Sequence, residues 1–214
     1  MMGKIYKNSH QTIVWLGSAP NQAQKSAVET VNSFTPFYQE IEAKAKQQLA
    51  AIRARESYTT EKRSDDSERL YGLVSLLSVS GNSTLLSEGI SAAALPPTLD
   101  YYRVQDILEL FQLEYFIRLW PVQEIVLSRR KTIYLGVFQF VWNLVGWFSG
   151  FFIHKYRHLD IKEDKLDGIQ AAMWVYSYAR TPSTGFPFAI MLRATRRFQA
   201  TVTKDQVYAL YGMI

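Results

Sequence analysis

Between Arg118 and Ser128 the chain reads RLWPVQEIVLS, which sets one carboxylate, Glu124, just inside an apolar helical run. A carboxylate there can do chemistry, or it can simply be well placed. Pro121 suits the first helical turn, where its missing N–H would have no partner in any case, so Glu124 comes close to the positive end of the helix dipole. A negative charge at that place is favourable by about 0.3–1 kcal/mol with no catalysis involved. A salt bridge from Glu124 to Arg118 completes this structural alternative, and both readings stay open. Other patterns carry less. His154 and His158 stand one helical turn apart with Asp160 behind them, a spacing that could hold a metal. A third ligand is uncertain and Lys and Arg crowd the segment, so the pair reads as surface histidines and no metal site is expected. GSAPNQ has a single Gly and lacks the phosphate loop or dinucleotide fingerprint. No Gly flanks a Ser as a nucleophile elbow requires. With no Cys in the chain, disulfides, thiolate metal sites and a Cys nucleophile are excluded.

These residues need a frame. The 214 residues, 48% hydrophobic and 14% aromatic, suit one domain with a sizeable core and lie far from a disordered composition. The net charge of +5 is spread along the chain among acidic residues, so no phosphate-binding stripe forms and nucleic acid is not an expected partner. QTIVWLG predicts a buried strand from Thr12 to Leu16, with Trp15 in the core. Ala27, Val28, Val31 and Phe34 follow at helical spacing, and strand then helix is α/β order. From Tyr38 to Arg69 the charged, Ala- and Gln-rich sequence predicts an exposed helix and a solvated loop, part of a helical insertion over residues 35–100. YRVQDILELFQ predicts an amphipathic helix, DGIQAAMWVYSYAR another, TPSTGFP a loop, and KDQVYALYGM a last helical turn or two capped near Gly212.

Residues 132–153, TIYLGVFQFVWNLVGWFSGFFI, form an uncharged apolar run of roughly the 20 residues that span a membrane. Gly146 and Gly150 add a small-xxx-small spacing. Against a span, TIYLG is a strand with its own Gly stop, and Gln139, Asn143, Gly146 and Gly150 fall on one helical stripe. A stripe exposing Gln139 and Asn143 fits a mostly buried helix lying on a sheet, and no membrane span is expected.

Three segments together resemble the heterokaryon incompatibility (HET) domain family of filamentous fungi. GKIYKNSHQTIVWLG is similar to its Ile-Tyr pattern followed by a strand ending in Val-Trp-Leu-Gly. YFIRLWPVQEIVLSRRKTIYLG is similar to its aromatic, Arg, Trp, Gln-Glu pattern with a strand and Gly behind it. RRFQATVTKDQVYALYGMI is similar to its Arg-Asp-x-x-Tyr-Ala-Leu-x-Gly signature, with Lys204 and Asp205 in the basic-acidic pair. The family's N-terminal motifs have no counterpart, so residues 1–214 are expected to be a single partial domain. The resemblance implies an α/β, helix-rich, TIR-like (flavodoxin-like) fold with a short parallel sheet incomplete at its N-terminus. It implies a part in non-self recognition and regulated cell death, with self-association or a sensor domain as partner. The lack of Cys and of an apolar signal-peptide core in MMGKIYKNSHQ makes a cytoplasmic home the expectation. Likeness to TIR domains that cleave NAD puts Glu124 in the place of the catalytic carboxylate. There it would stabilise an oxocarbenium-like centre without a cofactor, with Trp120 and Arg118 contacting the nucleotide and NAD as substrate. The fragment itself is expected to be inactive. The alternative is a non-catalytic interaction module or a degenerate fragment.

Overall fold

The computed structural model describes residues 2–55, 98–180, 188–196, 198–200, 202 and 204–211. The chain opens with α1 (Met2–Asn8), then β1 (Thr12–Trp15), α2 (Gln22–Ser33) and α3 (Thr35–Arg55). The second described stretch carries α4 (Tyr101–Phe111), α5 (Glu114–Ile117), α6 (Pro121–Leu127), β2 (Lys131–Leu135), β3 (Phe138–Val141), α7 (Trp142–Tyr156) and α8 (Glu163–Arg180). Two short helices, α9 (Phe188–Ala194) and α10 (Asp205–Tyr211), end it. The fold is α/β and helix-rich, around a three-stranded sheet in the order β1-β2-β3.

β1 and β2 run parallel, Thr12 beside Lys131 through Trp15 beside Tyr134. β3 returns antiparallel, which corrects the expectation of parallel strands. The cause lies in the connection. Only Gly136 and Val137 separate the two strands, and a two-residue loop can join only antiparallel neighbours. Gly136 has φ 58°, the first-position glycine of a type II′ hairpin, and a Cβ there would press to 2.8 Å from Pro20 Cδ. The same hairpin corrects the helical stripe. Gln139 belongs to β3, and the helix begins only at Trp142. Gln139 and Asn143 are both exposed, as that stripe required. At 15 residues α7 is about 22 Å long, short of the roughly 30 Å hydrocarbon layer. No helix among the described residues is long and apolar enough to cross a membrane.

β1 alternates in burial rather than being enclosed on both faces. Thr12 and Val14 are buried, whereas Ile13 and Trp15 stand 62% and 57% exposed, so Trp15 is not a core residue. In register, Ile13 lies beside Thr132 and Thr132 beside Val141, which is itself half exposed. The outer face of the sheet therefore exposes Ile13 and Val141 at the two ends of this row, while Thr132 between them is buried and accepts a hydrogen bond from the Gln11 amide. The inner face rests on α7, a helix apolar on almost every side and buried accordingly. Its Phe148 meets Phe34 edge-on at 5.0 Å, and Trp147 stacks on Phe151 at 5.4 Å and 22°. Gly146 and Gly150 face α8, against Tyr176 and Met173, so the small-residue spacing serves close packing of two helices within the core. α3 is less exposed than its composition suggests. Tyr38, Ile41 and Ala45 are buried, and Phe37 and Tyr38 lie against Trp147. Residues 56–97 of the 35–100 insertion, the TPSTGFP loop and Gly212 fall outside the described residues.

Candidate functional site

The RLWPVQEIVLS box is built from two anchors. Leu119, Val122 and Ile125 are buried and fix the inner side of α6, and Trp120 packs half-buried against the same core. The strand-like residue before the helix is stitched to the C-terminal segment. Gln199 N–H donates to the Ile117 carbonyl at 2.7 Å, and Leu119 N–H donates to the Gln199 carbonyl at 3.1 Å. Pro121 occupies the first turn and Glu124 is its acidic residue, so the electrostatic half of the structural reading holds.

The other half does not. Among the described residues no ion pair joins Glu124 to Arg118, whose side chain is exposed. Two tyrosines take that place. Tyr6, on α1, donates its hydroxyl to Glu124 Oε1 at 3.0 Å, and Tyr115, on α5, donates to Oε2 at 3.4 Å. Both carboxylate oxygens are thus held, and α1 is fastened onto α6. Gln123, buried beside Glu124, turns the other way. Its Nε2 donates to the Tyr208 carbonyl at 3.0 Å and so ties α6 to α10. At the far end of the box the Ser128 and Thr12 hydroxyls hydrogen-bond each other, joining it to β1. Every segment that carries the resemblance therefore meets at α6. Arg118 lines a small hollow with Tyr115, Pro121, Val122 and Trp142. It holds about 10 Å³, room for about one water. Trp120 and Glu124 do not line it, so the three residues expected to share a nucleotide are not brought together around that space.

The pairing has an electrostatic signature. Burial, then the charge of Glu124 and the hydrogen bond to it, push the Tyr6 hydroxyl up from 10.0 to about 12. The same causes in the same order, joined by Tyr6, raise Tyr115 further. The sign follows from linkage. As pH rises the unfolded tyrosine loses its proton first, so the clasp contributes fully below pH 10 and is lost as pH climbs through about 12. Denaturant unfolding across this range is expected to find stability falling above pH 10. Tyr6→Phe should flatten the fall, with tyrosinate absorbance reporting the late titration. An unchanged slope in the variant would dismiss the clasp.

Tyr6 and Tyr115 were legible as motif members, within Ile-Tyr and YFIRLW, but not as partners of Glu124. Tyr6 lies 118 residues from Glu124 in the chain, and no periodicity spans such a distance. His154 and His158 are exposed, and His158 lies beyond the end of α7, so the two imidazoles do not share a helical face.

Among known proteins, the family model described as heterokaryon incompatibility protein (HET) matches residues 1–124. The match runs from the first residue to Glu124 itself, and the third resembling segment lies beyond it. No curated protein and no solved structure matches the chain. More than half of the sequence, including the Tyr6 segment and the box as far as its carboxylate, is thus accounted for by one family, and the chain belongs to the heterokaryon incompatibility (HET) proteins.

Proposed function

We propose that the chain serves fungal non-self recognition and regulated cell death through protein association, with Glu124 as the clasp that sets the box in place. The carrying observation is that both oxygens of Glu124 are engaged by tyrosine hydroxyls. A carboxylate so held is already committed to holding α1 and α5. The exposed apolar residues of the outer sheet face, Ile13, Trp15 and Val141, supply surface for self-association or for a sensor domain. A cysteine-free chain is at home in a reducing cytoplasm.

NAD cleavage is the second reading. It is favoured by the retained order of Trp120, a helix start and Glu124 in the first turn. One substitution separates the two. Glu124→Gln keeps the shape and removes the charge. Under the association reading the purified chain consumes no NAD, and the variant loses about 1 kcal/mol of stability while keeping cell-death activity in a fungal host. NAD loss by the wild type that vanishes in a folded Glu124→Gln protein would replace association with catalysis.

A further inference from the structure

Away from the box, a cavity of about 290 Å³ lies where α5, α7, α8 and α9 converge. Its apolar walls are Ile117, Ile153, Met173, Trp174 and Phe198. The walls are fixed by contacts already described. The Gln199–Ile117 stitch holds Phe198 and Ile117 on either side of one backbone pairing. Trp174 is stacked on Tyr178 at 5.3 Å and 16°, and meets Phe198 edge-on at 6.2 Å. A ring clamped in this way is preformed, which lowers the entropy lost on binding.

Three polar side chains also line the space: Asp167, Gln170 and Arg193. Asp167 and Gln170 are engaged in interactions of their own. Arg193 is exposed and has no ion pair among the described residues, which leaves its guanidinium open to an incoming anion, with the Asp167 carboxylate lining the same space. The volume lies just below the roughly 300–1,000 Å³ of drug-sized ligand sites, and a single ring with a short polar arm is the right scale. We propose that the cavity between α8 and α9 binds a small anion with a ring-sized apolar body, the ring against Trp174 and Phe198 and the anionic group on Arg193.

The test uses the whole chain and three probes of one shape and different charge: phenylacetate, the neutral phenylacetamide and the cation benzylamine. Ligand-observed NMR titration is expected to find phenylacetate bound most tightly. Arg193→Gln should weaken it about tenfold, the loss of one charge-assisted hydrogen bond, and leave phenylacetamide unchanged. Ala194→Phe, which fills the cavity, should abolish binding of every probe. Equal binding of the three probes, phenylacetate binding unaltered by Arg193→Gln, or no phenylacetate binding to the wild type would each overturn the proposal. Because Arg193 is exposed, its substitution does not endanger the fold, so the outcome stands even if Ala194→Phe fails to fold.

Discussion

Gly168→Ala is expected to cost the chain about 3 kcal/mol or more and to lower its melting temperature by about 6 °C or more. Gly168 is the point where α8 crosses the C-terminal end of α4. A Cβ there would overlap the carbonyl oxygen of Phe111 and lean on Phe116 Cβ at 3.4 Å. Alanine would favour the helix by about 1 kcal/mol, but overpacking costs about 1–3 kcal/mol even when side chains can move aside. Here the obstacle is backbone. Against total stabilities of roughly 5–15 kcal/mol such a loss is large enough to read directly in the unfolding midpoint. Gly150→Ala is the control. Its nearest neighbour would be Met173 Cγ at 3.6 Å, an ordinary contact with a flexible side chain, so that variant should melt at or above the wild-type temperature. A Gly168→Ala protein with an unchanged urea midpoint would refute the close crossing of α8 and α4.

Phe148→Ala is the second large effect, at about 3–5 kcal/mol, because the loss combines the transfer energy of the ring with the cavity left behind. Phe148 is fully buried and touches three other rings, Phe34 at 5.0 Å, Phe152 at 6.1 Å and Phe151 at 6.4 Å. These rings join α2 to α7, so their loosening should reach both helices. Near-ultraviolet circular dichroism should lose most of its aromatic signal while far-ultraviolet helix content falls less. A loss below about 1 kcal/mol would mean that the cluster repacks freely around the gap.

How far the sequence reached depended on the range of the contact involved. α2, α4 and α8 were legible because Val28 and Val31, or Ile107 and Phe111, recur at a helical period that reports one buried face. β1 was legible as a strand but not in its burial, since Ile13, Val14 and Trp15 are all apolar and no polar alternation marks which face is covered. Gln139 was assigned to a helix because a four-residue β3 after a tight turn leaves too little sequence to distinguish period two from period 3.6. The box itself was found through its Trp, Pro and Glu. What escaped was its wiring. Arg118 was the partner nearest to Glu124 in sequence, yet the hydroxyls of Tyr6 and Tyr115 hold the carboxylate, one of them from the opposite end of the matched region. Charge pairing is a sound local guess, but tertiary packing brings in groups that sequence distance conceals.

The parallel pairing of β1 with β2 also bears on the order of events during synthesis. Gln11, at the start of β1, hydrogen-bonds Thr132 on β2 at 2.6 Å, across 121 intervening steps of chain. At about 5–20 residues per second, a ribosome needs roughly 6–24 s to deliver the second strand after the first has been made. For that interval Thr12, Ile13, Val14 and Trp15 have no β2 to pair with, a β-prone tetrapeptide in a nascent chain. Exposure of an unpaired β1 to wrong partners is thereby concentrated in one early window, and it ends when the Arg129–Arg130–Lys131 segment and the strand behind it leave the exit tunnel.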